Sequence, residues 1–165
     1  ALHSNEKLER TTQYWESLAE EISFQGPWKE EGIHSFQVLV YSPTGAIVAA
    51  PTTSLPEEIG GERNWDYRYS WFRDTAFTLG ILYRLGDIRV AHQFMSWLIA
   101  QLESTPGRTQ MLYGIDPQSN LDEVTPSHLE GYQRSKPIRI GNKAADQIQK
   151  DVFGEVVTSI VTYHG

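Results

Sequence analysis

Between Phe72 and Glu103 apolar residues recur at three- and four-residue steps, and the pattern breaks only once, at Leu85-Gly86-Asp87. That period is helical, so the segment predicts one helix from near Phe72 to Asp74 as far as Leu85 and another from Ile88 to about Glu103. Gly86 ends the first, Asp87 caps the second, and so short a connection makes the two an antiparallel hairpin. The first helix is expected to bury Phe77, Ile81, Leu82 and Leu85. The second carries Val90 or Ala91, Phe94, Met95, Leu98, Ile99 and Leu102, a face broad enough for packing on two sides.

The remaining chain repeats this design with longer connections. Residues 4 to 23 predict a leading helix with Ser4 as N-cap and a stripe of Leu8, Thr11, Trp15, Leu18 and Ile22, broken by Gly26-Pro27. A second helix is expected from about Glu30 to Tyr41 with Ile33, Phe36, Leu39 and Val40 inward, although the run VLVY equally suits a strand. His34 reads as an ordinary helix residue, since no catalytic partner stands near it in sequence. Ser42-Pro43-Thr44-Gly45 is turn chemistry, and Pro43 to Gly61 is expected to be a long ordered loop, a feature that tends to carry function. After Thr105-Pro106-Gly107 the chain is mostly non-helical to Asn142. MLYGI is strand-like there, and Pro117, Pro126 and Pro137 prevent a long helix. A last helix is expected from around Lys143 past Val161, with Ile148, Val152, Val156 and Ile160 at four-residue steps. The class is all-α: helix hairpins joined by long ordered loops gathered at one end.

With 165 residues the chain suffices for one domain with a real core, and its formal charge of −7 argues against nucleic acid and anionic membrane surfaces. No apolar run approaches the roughly 18 to 20 residues of a spanning helix, and the N-terminus lacks the pattern of a signal peptide. The absence of cysteine rules out disulfides, a thiolate nucleophile and Cys-based zinc sites, and suits a reducing cytoplasm. The five His residues are scattered without metal spacing, so neither metal nor cofactor is expected.

The stretch Gly60 to Asp74, GGERNWDYRYSWFRD, stands apart. From Trp65 to Asp74 it holds five aromatics interleaved with Asp66, Arg68, Arg73 and Asp74. Aromatic faces suit the C–H faces of a sugar, and adjacent Arg and Asp can grip hydroxyls with charge-assisted hydrogen bonds. A nucleotide site would want a Gly-rich turn opening a helix toward phosphate, and Glu62 directly after Gly60-Gly61 would repel one. A buried aromatic cluster with its charges satisfied at the rim remains the alternative.

Three blocks in order, PTGAIVAAPTTSLPE (Pro43 to Glu57), NWDYRYSWFRDTAFTL and HLEGYQRSKPIRIGN (His128 to Asn142), resemble the bacterial and archaeal branch of glycoside hydrolase family 15, which includes glucoamylases, glucodextranases and trehalases. The resemblance implies an (α/α)6 toroid that hydrolyses α-glucosidic bonds with inversion, acting on an α-linked glucose oligosaccharide or trehalose. Residues 1–165 would be an incomplete toroid at the N-terminal part of the catalytic domain, with 1–27 a leading helix and linker and 28–165 the first toroid helices. Carried over by position, Tyr67 resembles the aromatic at the floor of the innermost subsite and Trp71 the Trp beside it. Arg73 and Asp74 resemble the pair that holds hydroxyls of the non-reducing glucose; a carboxylate at Asp74 also suits a helix start electrostatically. The family's general acid and base, the acid in a Trp-Glu motif, are expected beyond Gly165. Trp15-Glu16 does not match that motif, and Glu130 and Glu155 are weak substitutes. Ser70 stands where many members carry Cys, Thr75 where Ala is common and His34 where Arg is usual. A reading from another class is a non-catalytic helical carbohydrate-binding or interaction module.

Overall fold

The computed structural model describes residues 2–20, 22, 25–39, 42, 44–85, 88–107, 109–116 and 119–164, with side chains for all of these but 2, 3, 39 and 85. Among them run α1 (Leu2–Glu20), α2 (Lys29–Leu39), β1 (Ser70–Trp71), α3 (Phe72–Leu85), α4 (Ile88–Ser104), β2 (Leu112–Tyr113) and α5 (Asp151–His164), with 3-10 turns at Tyr132–Arg134 and Lys143–Asp146. The fold is all-α, as the apolar period predicts; among the described residues the one sheet has two residues in each strand. No helix among the described residues is long and apolar enough to cross a membrane. The expected stop at Gly86 and cap at Asp87 lie outside the described residues, as do Val40, Tyr41, Pro43 and Pro117 and the side chains of Leu39 and Leu85.

Helix α3 is the centre of the packing, with α5 laid along it and α4 beside both. Its buried stripe is Phe72, Thr75, Ala76, Leu79 and Leu82, which corrects the expectation for Phe77 and Ile81: these are 68% and 51% exposed. At 100° per residue the steps 72, 75, 76, 79 and 82 stay on one face, whereas 77 and 81 lie on nearly the opposite one. Helix α4 buries Val90, Ala91, Phe94, Met95 and Leu98 as expected, adds Trp97, and leaves Ile99 exposed. Phe72, Tyr113 and Trp97 form an aromatic knot, with the first two rings stacked at 4.6 Å and Trp97 edge-on to both. The knot locks the start of α3 to α4 and β2.

The last helix starts later than expected. Residues 143–146 form a 3-10 turn and α5 begins only at Asp151, so Ile148 lies outside any helix and is the most exposed large apolar residue, at 85%. Four-residue steps overshoot a helical turn by about 40° each, so Ile160 rotates out of the face that Val152 and Val156 share. Ser159 takes the inward place instead. At the other end, Ser4 is not a cap but sits inside α1, whose later turns are the better anchored: Leu18 is buried, as is Ile22 beyond the helix, and Gln37 Nε2 on α2 donates to Trp15 O at 3.2 Å. Leu8 and Thr11, expected on the buried stripe, are exposed. The region 44–61 is an ordered loop, with Ala46, Ile47 and Val48 buried. Its Gly45 has φ of 85°, and a Cβ there would lie 2.8 Å from Gln93 O on α4, so the turn and the close approach both require glycine.

Candidate functional site

The residues before α3 are held in an extended run by backbone bonds from both sides. Ala49 N–H donates to Tyr69 O at 2.9 Å, Ala50 N–H to Tyr67 O at 2.9 Å and Ser54 N–H to Trp65 O at 2.8 Å. Further on, β1 pairs antiparallel with β2, Ser70 opposite Tyr113 and Trp71 opposite Leu112. Extended backbone sends successive side chains to opposite sides. Trp65, Tyr67 and Trp71 accordingly line one cleft of about 590 Å³, while Asp66 turns away from it and is fully buried.

Buried carboxylates need partners, and Asp66 has them. Arg68 Nε donates to its Oδ1 at 2.9 Å and Arg68 Nη2 to its Oδ2 at 2.7 Å. Gly141 N–H adds a bond to Oδ2 at 3.1 Å, and Asn142 Nδ2 donates to the Asp66 backbone carbonyl at 3.0 Å. This one residue thus stitches the aromatic stretch to the 139–142 segment, bringing together residues 75 positions apart. Burial is the main cause raising the neighbouring Tyr69 phenol above its ordinary value, with the Asp66 carboxylate adding to it and Arg68 opposing.

Arg139 performs the same service for the cleft wall. Its guanidinium carbon lies 4.3 Å from the centroid of the Trp65 ring, its Nε donates to Glu123 Oε1 at 3.2 Å, and its Nη1 donates to Glu62 O at 2.8 Å and to Asn64 O at 3.3 Å. Its own backbone is clamped by Ser54, whose Oγ accepts from Arg139 N at 2.8 Å and donates to Arg139 O at 3.0 Å. Ser54 has φ of 57°, a costly conformation for a non-glycine residue, and these bonds to Arg139 hold it there.

Three of the four candidate residues, Tyr67, Trp71 and Arg73, line the cleft. The Tyr67 and Trp71 rings are 5.9 Å apart and tilted by 54°; Trp71 is buried and Tyr67 is 37% exposed. Arg73, in the first turn of α3, lines the same cleft and is half-exposed. Asp74 Oδ1 lies 3.5 Å from Arg73 Nε, but Asp74 lines a smaller adjoining cavity of about 110 Å³ that shares Trp71 with the cleft. The Tyr67 phenol is raised above 10.0, by burial first and then by the carboxylates of Glu57 and Asp74. It therefore stays a neutral hydroxyl at neutral pH, able to donate and to accept.

Sequence reasoning placed Trp65 in the aromatic stretch without giving it a role, and did not single out Glu123, Arg139, Lys143, Asp146 or Gln149, which also line the cleft. Of these five, Arg139 carried a signal, being charged within a matching block. Glu130 is exposed, Glu155 is half-buried on α5, and neither lines the cleft. Glu123 does, but it is engaged by Arg139 and by Lys143 N–H at 3.2 Å. His34 is an exposed residue of α2. Among the described residues no group of three or more acidic or His side chains is placed to hold a metal ion.

The profile described as Glycosyl hydrolases family 15 matches residues 31–165. A trehalase of Thermoplasma volcanium is 43% identical over 157 residues, which is 93% of this chain and 25% of the relative. A trehalase of Mycolicibacterium smegmatis is 41% identical over 162 residues, 94% of this chain and 24% of the relative. The chain thus spans about a quarter of the length of these curated relatives. No solved structure matches it significantly. A family profile covering most of the chain, with relatives this similar over nearly all of it, shows that the chain belongs to glycosyl hydrolase family 15.

Proposed function

We propose that this chain supplies the sugar-gripping part of an inverting α-glucosidase whose substrate is trehalose. What supports the reading most is the conjunction of Tyr67, Trp71 and Arg73 on one cleft with Asp74 at its edge. A glucose ring resting on the two aromatics would place hydroxyls within reach of the guanidinium and the carboxylate. An epimer that left either unpaired would lose binding, since an unsatisfied buried group costs about 1–3 kcal/mol and more when charged. Trehalose, rather than a longer α-glucan, is favoured because relatives so similar over nearly the whole chain carry the name trehalase.

Inversion requires two carboxyl groups about 6.5–9.5 Å apart, one protonating the leaving oxygen and one activating water on the opposite face. Of the two carboxylates that line the cleft among the described residues, Glu123 is committed to Arg139, and Asp146 alone makes no pair. Both proton-transfer groups are therefore assigned to sequence beyond Gly165, within the three quarters of the relatives' length that this chain does not match. On this reading residues 1–27 lead into the domain and residues 28–165 contribute the first helices of its toroid. The test is proton NMR of glucose released from trehalose by the full-length polypeptide in deuterated buffer. Equal amounts of α- and β-glucose at the earliest times support inversion, because the retained half of trehalose leaves as α-glucose and the attacked half as β-glucose. Release of α-glucose alone overturns it, and activity on maltose but not trehalose overturns the substrate.

A further inference from the structure

Arg73 is held from the far end of the chain. Its Nη1 donates to Gln149 Oε1 at 3.2 Å and lies 3.6 Å from Asp151 Oδ2, contacts that span 76 residues or more. Its Nε faces Asp74 Oδ1 at 3.5 Å. Among the described residues, Nη2 and its two N–H donors are engaged by none of these bonds. Gln149 lies in the link before α5 and also lines the cleft, while Asp151 opens α5, where a carboxylate is already favoured by the helix dipole. A capping role alone, however, would not point Asp151 at a guanidinium on another helix.

We propose that Gln149 and Asp151 are positioning residues for Arg73, drawing Nη1 toward α5 so that Nη2 is presented to a sugar hydroxyl in the cleft. Without them the guanidinium has one carboxylate left, that of its neighbour Asp74. It would then swing onto Asp74, and the two groups meant for the ligand would satisfy each other. The pull from α5 acts on Nη1 while Nε keeps its 3.5 Å approach to Asp74, so that a second prong of the guanidinium is not drawn onto that carboxylate and Nη2 is left for the ligand. Since α5 packs chiefly along α3, the seating of α5 is thereby linked to the competence of the cleft. The inference rests on the sugar-gripping role proposed for Arg73.

A double-mutant cycle in the full-length polypeptide separates the two claims. Gln149→Ala and Asp151→Ala are made in the native background and again beside Arg73→Ala, and the Kd for trehalose and kcat/KM are measured with the melting temperature. Each single change is expected to weaken binding about two- to fivefold, the range of a half-exposed ion pair or hydrogen bond. Beside Arg73→Ala, each should cost less than about twofold, because there is no guanidinium left to position. Asp151→Glu should recover part of the loss. Equal losses in both backgrounds overturn the inference, since the two residues would then act on the sugar or on the fold directly. Should Asp151→Ala lower the melting temperature severely, Gln149→Ala, outside the helix, decides the matter alone. If Arg73→Ala itself leaves trehalose binding unchanged, it is the underlying role of Arg73 that fails.

Discussion

Asp66 and Arg68, two positions apart, form a two-pronged ion pair in which the carboxylate is fully buried and the guanidinium half-exposed, at 2.9 and 2.7 Å. The arrangement lets Arg68 stay hydrated while Asp66 spends its remaining capacity on the Gly141 backbone. Asp66→Ala strands that N–H and breaks the tie between the two halves of the loop layer. It should cost more than about 2 kcal/mol in urea unfolding of the full-length polypeptide, since the Gly141 and Arg68 backbone N–H groups lose their acceptor at about 1–3 kcal/mol each while the half-exposed guanidinium rehydrates. Asp66→Asn keeps the shape and should cost about 1–3 kcal/mol. A loss under about 1 kcal/mol for Asp66→Ala would show that the 139–142 segment is held by other means.

Raised phenols are expected to weaken stability at alkaline pH. Tyr69 and Tyr83 are both raised above 10.0, chiefly by burial, so the folded chain favours their neutral forms. Below pH 10 the phenols are neutral in folded and unfolded chains alike and their contribution is fully present. As pH rises toward the folded-state values, the unfolded chain ionises first and stability falls. The drop in melting temperature between about pH 8 and about pH 11 should be smaller in Tyr69→Phe than in the native protein. An unchanged drop would mean that Tyr69 is not what titrates.

The Tyr83 hydroxyl oxygen is buried with no hydrogen-bond partner among the described residues. Removing an unsatisfied buried hydroxyl relieves a desolvation penalty, so Tyr83→Phe should leave stability unchanged or raise it by up to about 1 kcal/mol. Destabilisation by more than that, seen in urea unfolding, would reveal a partner that the folded chain supplies.

Exposed apolar faces make a prediction about the 165-residue chain in isolation. Phe77 and Ile81 on α3 and Phe153, Val157 and Val161 on α5 are all exposed. Apolar surface on this scale marks sites that other protein covers. Alone, the chain should bind an apolar fluorescent dye and elute in gel filtration well above its 18.8 kDa mass. A dye-silent monomer with one cooperative melt would favour the self-contained binding module instead.

The same side chains show where the sequence was legible. Helices α3 and α4 could be read to within a residue or two because their period is local and their ends carry turn chemistry. Which face is buried was less legible: Phe77 and Ile81 are apolar, but a stripe at 72, 75, 76, 79 and 82 wins the core because α4 and α5 lie there. The late start of α5 is an instance of tertiary context over pattern, since Asn142 Oδ1 accepts from Ala144 N–H and closes a 3-10 turn where periodicity alone suggested α-helix. The dense aromatic stretch pointed to Tyr67, Trp71, Arg73 and Asp74, of which the first three line the cleft. Glu123, Arg139 and Gln149 join Tyr67, Trp71 and Arg73 on the cleft from 50 to 82 positions further along the chain, and such long-range pairing leaves no periodic trace. Asp66 and Arg68 looked like ligand-binding charges but pair with each other.

Asp74→Asn in the full-length polypeptide tests the sugar-gripping role most directly. The substitution keeps size and removes charge at a half-exposed position in the first turn of α3. If Asp74 holds hydroxyls on a ring that flattens in the transition state, kcat/KM for trehalose should fall by roughly two to four powers of ten, about 3–5 kcal/mol on the rate scale. The melting temperature and the acid limb of the pH profile should stay in place, because that limb reports the proton-transferring carboxyls and not a hydroxyl-binding one. A mutant that is fully active yet far less stable would contradict this role and make Asp74 a helix cap.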